Sequence, residues 1–259
     1  MAFIDHDLHI HTELSACSRD PEQSAAALLA YAEKNNFKTI CVTDQFWDEN
    51  VPGASGWYKP QNYDHISKIL PLPEAEGIRF LFGCETDMDK FGTIGVSKER
   101  MKDFDFIIVP TTHLHMTGFT HRGDEDAAER AELWVKRFET LLNADMPFEK
   151  TGIAHLTCGL VYREHHLEVL SAISDEDMIR LFKRAADLGL GIELNFSALS
   201  LTDADRDIML RPYRIAKEEG CRFYLGSDAH HPSALDRAPS NFAKIVELLA
   251  LDDSDKFVI

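Results

Sequence analysis

The sequence lacks long apolar runs and an excess of positive charge. No stretch of its 259 residues approaches the roughly 20 consecutive apolar residues that a membrane-spanning helix needs. The 27 lysines and arginines face 44 aspartates and glutamates, which gives a formal net charge of −17. This deficit argues against a nucleic-acid coat or a protein that binds an anionic membrane surface, because both need a basic face. We therefore expect neither nucleic acid nor a membrane among its partners.

The amino terminus and the cysteines lack the features of a secreted protein. Residues 1–14 contain neither a basic stretch nor a long apolar stretch, so no secretory signal is predicted. The cysteines are odd in number and scattered without a shared motif: Cys17, Cys41, Cys84, Cys158 and Cys221. In a chain of this length such usage indicates a reducing compartment. We expect a cytoplasmic protein, and the sequence leaves its oligomeric state open.

Short strand-like runs alternate with helical stretches along the chain. Seven runs are rich in β-branched and aromatic residues: Phe3–His11, Thr39–Thr43, Arg79–Glu85, Asp105–Thr111, Gly152–His155, Gly191–Phe196 and Arg222–Gly226. Apolar residues at helical spacing occupy the stretches between most of them: Pro21–Asn36, Glu125–Asn143, Asp175–Leu188 and Asp203–Glu219. Parallel strands need crossover connections, which are usually helical. The pattern predicts an α/β protein with one domain over residues 1–259, either a closed barrel of about seven strands or, as the alternative, an open doubly wound sheet.

Several residues mark the expected ends of helices and one long loop. Aspartates are predicted to cap three helix starts: Asp20, Asp175 and Asp203. Pro21 suits a first helical turn, and Gly189 and Gly220 suit helix ends. Residues 47–61 are long for a connection between a strand and a helix, so they are expected to overhang the mouth of the barrel. There they either contact a substrate or cover an apolar patch.

Histidine is abundant, and its placement carries the functional interpretation. The chain has 12 histidines, and His9 and His11 lie two residues apart at the end of the first run. On a strand this spacing places both imidazoles on one face, with Leu8 and Ile10 on the other. Parallel barrels hold their active sites at this end of their strands. For this pair alone, two exposed loop histidines are an equally good interpretation.

Imidazole, carboxylate and amide side chains recur at the ends of later runs. They are Glu85, His113, His155, Glu193, Asn195, Asp228 and His230. Burial of a charged or imidazole group at the end of an apolar strand costs free energy unless the group is paired or bound to a metal. Together with the end of the first run, six strand ends carry such groups, which indicates convergence on one site. Imidazole and carboxylate together are ligands of zinc, manganese or iron, and a carboxylate such as Glu85 could bridge two ions.

These motifs, in this order, resemble those of the PHP (polymerase and histidinol phosphatase) family of metal-dependent phosphoesterases. The matching segments are His9-Ile10-His11, Val42-Thr43-Asp44, Gly83-Cys84-Glu85, His113, His155, Glu193-Leu194-Asn195 and Ser227-Asp228-Ala229-His230. The resemblance implies a distorted (β/α)7 TIM-like barrel with a metal cluster at the carboxyl mouth of the strands.

The resemblance also implies the ligands of each ion. One ion takes His9, His11, Glu85 and Asp228, and a second shares Glu85 and adds His113 and His155. A third ion, in members that have it, uses two further histidines and the final one of the motif set. Cys17 and Gln45 stand at the first two of those positions here, so only His230 remains. Two or three divalent ions (Zn, Mn or Fe) are expected, with Cys17 as a third-site ligand or Asp44 or Asp20 as a substitute.

The expected reaction is hydrolysis of a small phosphorylated metabolite, with histidinol phosphate as the substrate that the family suggests. A hydroxide activated by the metals would attack phosphorus, and Asp228, His230 or a metal-bound water would protonate the leaving alcohol. Three arginines are candidate substrate ligands: Arg19, Arg122 and Arg163. Two alternatives stay open. One is a metal hydrolase of the amidohydrolase type, which also begins with His-x-His, and the other is a PHP domain that binds metal without catalysis.

Overall fold

A computed structural model describes residues 3–195 and 202–259. The described residues form a parallel sheet whose main path follows chain order. The strands are β1 (His6–Ile10), β2 (Thr39–Val42), β3 (Gln45–Phe46), β4 (Arg79–Thr86), β5 (Phe106–Pro110), β6 (Thr151–Ala154), β7 (Gly191–Leu194) and β8 (Arg222–Leu225). The short β3 pairs with β4 beside the main path, which runs β1-β2-β4-β5-β6-β7-β8.

Helices connect most of the strands. They are α1 (Ala25–Asn35), α2 (Tyr63–Ile66), α3 (Ala127–Asn143), α4 (His166–Ala172), α5 (Asp175–Leu188), α6 (Asp203–Glu218) and α7 (Pro232–Leu248). Among these helices, none combines the length and the apolar composition needed to span a bilayer. The sequence did not predict α2, α4 or α7, because the first two are short and the third carries Pro239 in its interior.

The sheet nearly closes on itself where the end of β8 meets β1. The backbone N–H of Asp228 donates to the carbonyl of His9 at 2.7 Å, and that of His11 donates to the carbonyl of Ala229 at 3.1 Å. These bonds tie the residues that follow the last strand to the end of the first one. The predicted distorted barrel is therefore confirmed, with a short eighth strand added.

Side chains from the strands fill the interior of the barrel and also pack under the helices. On β5, Phe106 and Ile108 join an apolar cluster built without any helical residue, which is the interior of the barrel. Ile107 and Val109, which alternate with them, join the larger cluster shared with the helices. This period of two is expected for a strand buried on both faces.

The N-caps of three helices lie one to four residues from the predicted caps, whereas α5 and α6 begin at Asp175 and Asp203, where the predicted helical stretches begin. Helix α1 begins at Ala25 with Ser24 as its cap, so the predicted start at Pro21 with Asp20 as the cap was wrong. Ser174 and Thr202 cap α5 and α6, and the predicted caps Asp175 and Asp203 lie in the first turn instead. An acidic residue there still stabilises the helix, because it faces the positive end of the helix dipole.

The predicted helix ends were closer to the structure. Gly189 is the C-cap of α5, with a φ of 77°, as predicted. Helix α6 ends at Glu218, and Gly220 follows its cap residue Glu219. The helical stretch predicted over Glu125–Asn143 begins two residues before α3 and ends at the same residue.

Strand β1 departs from the simple alternation that the sequence predicts. Leu8 packs in the interior of the barrel, whereas Ile10 packs in the layer shared with the helices. The prediction that these two side chains share one face was therefore wrong. The pairing register between β1 and β2 shifts between Asp7 and Ile10, and such an irregularity re-aims the side chains around it. Phe196, at the end of the sixth predicted run, lies outside the described residues.

Candidate metal centre

The polar residues predicted at the strand ends meet at the carboxyl mouth of the barrel. Glu85 belongs to β4, and alternation from Leu81 through Gly83 turns its side chain to the barrel interior. His113, His155 and Asp228 follow the ends of β5, β6 and β8 within three residues. All of these strands run parallel, so their carboxyl ends share one rim.

Four donor atoms form a first group in this mouth. His9 Nε2 and His11 Nε2 lie 3.2 Å apart, and they lie 3.5 Å and 3.3 Å from Glu85 Oε2. Asp228 Oδ1 lies 3.0 Å from His11 Nε2 and 3.5 Å from His9 Nε2. Both imidazoles and the Glu85 side chain are almost completely buried. The four side chains therefore converge on one point.

A second group is built around the other oxygen of Glu85. His155 Nε2 lies 3.2 Å and His113 Nε2 lies 3.7 Å from Glu85 Oε1. Asp228 Oδ2 lies 3.7 Å from His155 Nε2. Glu85 thus gives one carboxylate oxygen to each group, and Asp228 faces both of them. A carboxylate shared in this way is typical of a site for two ions.

The spacing and the hydrogen bonding of these donors fit divalent metal ions. Ligand atoms about 2.1 Å from a shared ion lie about 3.0–3.5 Å from one another in octahedral or tetrahedral coordination. The first group shows separations of 3.0–3.5 Å. Asp228 Oδ1 is buried and has no hydrogen-bond partner. An unpaired buried carboxylate oxygen is costly without a cation beside it.

The four histidines of the first two groups are each held by a further contact, either at Nδ1 or at the backbone N–H. His9 Nδ1 lies 2.5 Å from Glu193 Oε1, and His11 Nδ1 lies 2.9 Å from Ser15 Oγ. His113 Nδ1 lies 3.3 Å from Asp87 Oδ2. An oxygen at Nδ1 selects the tautomer whose Nε2 lone pair faces the metal, and it also fixes the orientation of the ring.

Glu193 holds both groups together. Its Oε1 pairs with His9, and its Oε2 accepts the backbone N–H of His155 at 3.0 Å. Gly226 leaves the space for this carboxylate, because a Cβ at residue 226 would lie 2.3 Å from Glu193 Oε1. His155 and Asp228 have φ values of 60° and 51°, in the left-handed region that non-glycine residues seldom adopt. Such strain is typical of functional sites.

The carboxylates of the centre raise the pKa values of three of its histidines, His9, His11 and His155, and so favour their protonated forms. Burial disfavours the charged form of His11, but the carboxylates of Asp228 and Glu85 outweigh this effect and raise the pKa of His11 to about 9. Burial also disfavours the charged form of Glu85, but the positive charge of His9 holds the pKa of Glu85 well below its usual range. A cation that binds here must therefore displace protons.

A third cluster lies beside the first. Donor atoms of His11, Cys17 and His230 lie within 4.8 Å of one another, and His230 Nε2 lies 3.1 Å from Cys17 Sγ. Gln45, which stands where the resemblance expects a histidine ligand, donates through Nε2 to Glu85 Oε2. Its Oε1 accepts from the Tyr58 hydroxyl at 2.8 Å. The amide of Gln45 is thus engaged at both ends.

The structure gives Asp44 and Asp20 other partners. Asp44 accepts from the backbone N–H and the hydroxyl of Thr12, both at 2.7 Å, and from Ser15 Oγ at 2.7 Å. Since Ser15 pairs with His11, Asp44 contacts the centre through that hydroxyl and does not join a donor group. Asp20 pairs with His231 at 3.1 Å.

A sequence model of the PHP domain matches residues 7–195. The chain belongs to the PHP domain family. The match ends before Asp228 and His230, and the structure brings both of these residues to the centre that the matched strands build. No curated protein matches the chain by sequence.

A solved structure similar to this PHP domain shows its fold. Histidinol phosphate phosphatase from Lactococcus lactis, solved with zinc, L-histidinol and phosphate, has a TM-score of 0.61 at 14% identity, over 98% of this chain and 99% of that one. A probable 2-pyrone-4,6-dicarboxylic acid hydrolase from Acinetobacter baumannii has a TM-score of 0.44 at 13% identity, over 96% of both chains. The second likeness is too distant to bear on function.

The PHP centre opens into a cavity of about 440 Å³. Trp57 and Tyr58 line it, so the loop of residues 47–61 reaches the mouth of the barrel as predicted. Besides residues of the three donor clusters, the lining residues are Gln45, Trp57, Tyr58, His115, Met116 and Leu160.

None of the three arginines predicted to bind substrate lines this cavity. Arg122 pairs with Asp124 at 3.1 Å and Glu129 at 3.0 Å on the surface. Arg19 is exposed. Arg163 lines an adjoining cavity of about 320 Å³, which shares His115 and Leu160 with the main one.

Two residues that support the PHP centre were missed from the sequence. Asp87 pairs with His113, and Arg137 of α3 donates to Asp87 Oδ1 at 3.1 Å. Both side chains are buried. Asp87 lies two residues after Glu85, so strand alternation could have found it. Arg137 gives no sequence signal, because its contact depends on how α3 packs against the sheet.

Proposed function

We propose that this PHP domain is a metal-dependent phosphoesterase that hydrolyses a small phosphomonoester. Family membership and the donor groups support a metal-dependent hydrolase. The finer proposal rests on the two carboxylate oxygens of Glu85, which face two separate groups of histidines. Two adjacent ions suit an in-line displacement at phosphorus, because one can serve the attacking oxygen and the other the leaving oxygen.

From the donor groups we propose ligands for two ions and for a third. His9, His11, Glu85 and Asp228 would hold one ion, and Glu85, His113 and His155 would hold the other. His11, Cys17 and His230 would hold a third ion. Imidazole and carboxylate suit zinc, manganese and iron alike. When bound, such ions supply a water molecule of lowered pKa and neutralise charge on the phosphoryl oxygens.

The chain's own residues orient the reaction and hold its protons. Hydrolysis forms a bond from a water oxygen to phosphorus, breaks the ester P–O bond and leaves an alkoxide that needs a proton. Both oxygens of Asp228 face the histidines of the donor groups, so His230 is the better candidate to supply that proton when no third ion occupies its Nε2. Its ring lines the cavity, and its Nδ1 donates to the carbonyl of Asp228 at 2.7 Å.

The charge of the cavity supports a reaction that depends on metal. Within the described residues no lysine or arginine lines the cavity, and Glu85 and Asp228 line it with negative charge. In the metal-free cavity, protons held on histidines such as His11 balance these carboxylates, so the cavity offers a phosphate dianion little net attraction. Bound divalent cations would make the local charge positive, although the chain carries a net charge of −17.

A panel of phosphomonoesters, assayed with zinc, manganese and iron, tests the proposal. Histidinol phosphate belongs in the panel, because the similar Lactococcus lactis protein is a histidinol phosphate phosphatase. We expect turnover of at least one ester and none of amides or lactones. Asp228→Asn should abolish that turnover, whereas Asp236→Asn, the same change on the exposed surface of α7, should not. Turnover of amides or lactones alone would favour the amidohydrolase type, and failure of all classes would favour a non-catalytic domain.

We also place the reaction in the cytoplasm. All five cysteines are free thiols, and three of them are buried. Free thiols persist in a reducing compartment. Fractionation of the native host cell tests this location, and recovery in an oxidising compartment would contradict it.

A further inference from the structure

We propose that the cavity selects phosphomonoesters whose ester group is uncharged and apolar, with an aromatic group preferred. The inference rests on the proposed function and names its substrate class. It is carried by the composition of the cavity wall beyond the donor clusters. That wall combines a shortage of charge with two aromatic rings and two flexible or branched apolar side chains.

The first observation concerns charge. Within the described part of the chain, the carboxylates that line the cavity are Glu85 and Asp228, both of which belong to the donor groups. Once cations occupy those groups, no carboxylate of the described wall is left to pair with an ammonium group on a substrate. No described lysine or arginine lines the wall to pair with a second anionic group, and residues 196–201 contain neither residue type. A charged ester group would therefore lose its hydration without gaining a partner.

The second observation concerns the apolar side chains. Trp57, Tyr58, Met116 and Leu160 line the cavity. The rings of Trp57 and Tyr58 meet edge to face, with centroids 4.7 Å apart. Trp57 still exposes 37% of its surface, although a large apolar ring gains free energy when it is covered. An aromatic ester group could cover this ring and pack against the thioether of Met116.

The third observation concerns the polar groups of the wall. The Tyr58 hydroxyl, which would offer a hydrogen bond, is already paired with Gln45 Oε1 at 2.8 Å and lies 3.3 Å from Asp87 Oδ2. The amide nitrogen of Gln45 donates to Glu85. The side chains of Tyr58 and Gln45 thus hydrogen-bond to each other and to carboxylates of the centre. Within the described wall beyond the donor clusters, the imidazole of His115 is the side-chain partner left for a sugar-like ester group rich in hydroxyls.

Arg163 does not change this assignment. Arg163 lines the adjoining cavity and not the main one, although His115 and Leu160 line both. An anionic ester group would have to extend beyond the main cavity to pair with it.

A matched series of alkyl phosphates tests the selectivity, because primary alcohols of similar acidity keep the chemical step nearly constant. The series is 3-phenylpropyl, 3-cyclohexylpropyl, propyl and 4-carboxybutyl phosphate, with histidinol phosphate as the ammonium-bearing member. We expect kcat/KM for the phenyl ester to exceed that for the propyl and carboxybutyl esters at least tenfold, mainly through KM. We expect histidinol phosphate to fall below the phenyl ester.

Variants locate the selectivity in the wall. Trp57→Ala should lower the ratio of kcat/KM for the phenylpropyl and propyl esters about tenfold. Leu160→Ala should lower the same ratio, and it serves as the second variant where Trp57→Ala does not fold. Phe91→Ala removes an aromatic ring that is 83% exposed and lies outside the cavity, so it should leave the ratio unchanged. An unchanged ratio in both wall variants would overturn the inference.

Binding of the matching phosphonates, measured by calorimetry on the zinc-loaded protein, separates the inference from the proposed function. Tighter binding of 3-phenylpropylphosphonate than of the propyl and carboxybutyl compounds supports the selectivity, whether or not any ester is hydrolysed. Equal binding, or tighter binding of the carboxylate compound, overturns it. Absence of ester hydrolysis with this binding order intact would refute the phosphoesterase proposal alone.

Discussion

Glu193 Oε1 lies 2.5 Å from His9 Nδ1, and the other oxygen of the same carboxylate accepts the backbone N–H of His155. One buried side chain thus orients a ligand from each donor group. Glu193 is 0% exposed, so water cannot replace its contacts without opening the barrel. We therefore propose that Glu193 positions these two histidines rather than binding substrate.

Replacement of Glu193 should therefore weaken metal binding. Loss of an oxygen that orients a metal-bound histidine costs about 10–100-fold in affinity or activity. We predict that Glu193→Gln weakens zinc binding by about this factor, measured by competition with a chelator. Glu247→Gln, on the exposed side of α7, is the matched control. Equal affinities of the two variants would show that Glu193 does not support the ligands.

Metal affinity should rise with pH. The pKa of His11 in the metal-free centre is about 9, so His11 carries a proton at neutral pH. An ion must displace that proton, and each displaced proton strengthens apparent binding about tenfold per pH unit below the pKa. We predict a steady gain from about pH 6 to about pH 9, the range over which His11 loses its proton. Calorimetry in buffers of different ionisation enthalpy counts the released protons, and a count of zero would contradict this account.

The role of His230 can be tested with the leaving group. A general acid contributes about 10²–10⁴-fold when the leaving alkoxide is a strong base, and much less when the leaving group is already stable. We predict that His230→Gln lowers kcat about 100-fold for an alkyl phosphate but less than about tenfold for 4-nitrophenyl phosphate. An equal loss for both esters would assign His230 to metal binding alone.

Cys17 should define a weaker third site. Burial and the nearby Glu85 carboxylate raise the pKa of the Cys17 thiol, so an ion must displace a proton from sulfur. We predict that the wild-type chain binds two zinc ions tightly and a third weakly. Cys17→Ala should keep the two and lose the third. The cobalt-loaded protein reports this directly, because thiolate ligation adds a near-ultraviolet band. Absence of that band from the cobalt-saturated wild type would exclude the thiolate as a ligand.

The strand ends explain why the ligand candidates could be chosen from the sequence. Parallel strands place their last residues on one rim, so a polar residue at the end of each apolar run is directed to the same mouth. His9, Glu85, His155 and Asp228 follow this rule, and the structure brings them within contact of one another. The regular alternation of runs and helical stretches predicts a parallel α/β fold, and the resemblance to the PHP family distinguishes the barrel from an open sheet.

Features that depend on tertiary packing could not be predicted. Arg137 supports Asp87 only because tertiary packing brings α3 to Asp87, and the irregular register of β1 that separates Leu8 from Ile10 has no signal in the sequence. Asp44 has a carboxylate of the kind that binds metal ions, but its oxygens accept three hydrogen bonds from Thr12 and Ser15. The three arginines predicted to bind substrate are inferred from their positions along the chain, and position does not show whether a side chain is already paired.

A titration of metal against activity tests the central claim most directly. Metal-free protein receives zinc, manganese or iron in measured equivalents, and both bound metal and phosphomonoester turnover are recorded for the wild type and for Glu85→Gln. We predict that turnover appears as the second equivalent binds, and that Glu85→Gln, which loses the shared carboxylate, binds fewer ions and turns over at least about 100-fold more slowly. Full turnover by Glu85→Gln, or none by wild-type protein that holds two ions, would contradict the account.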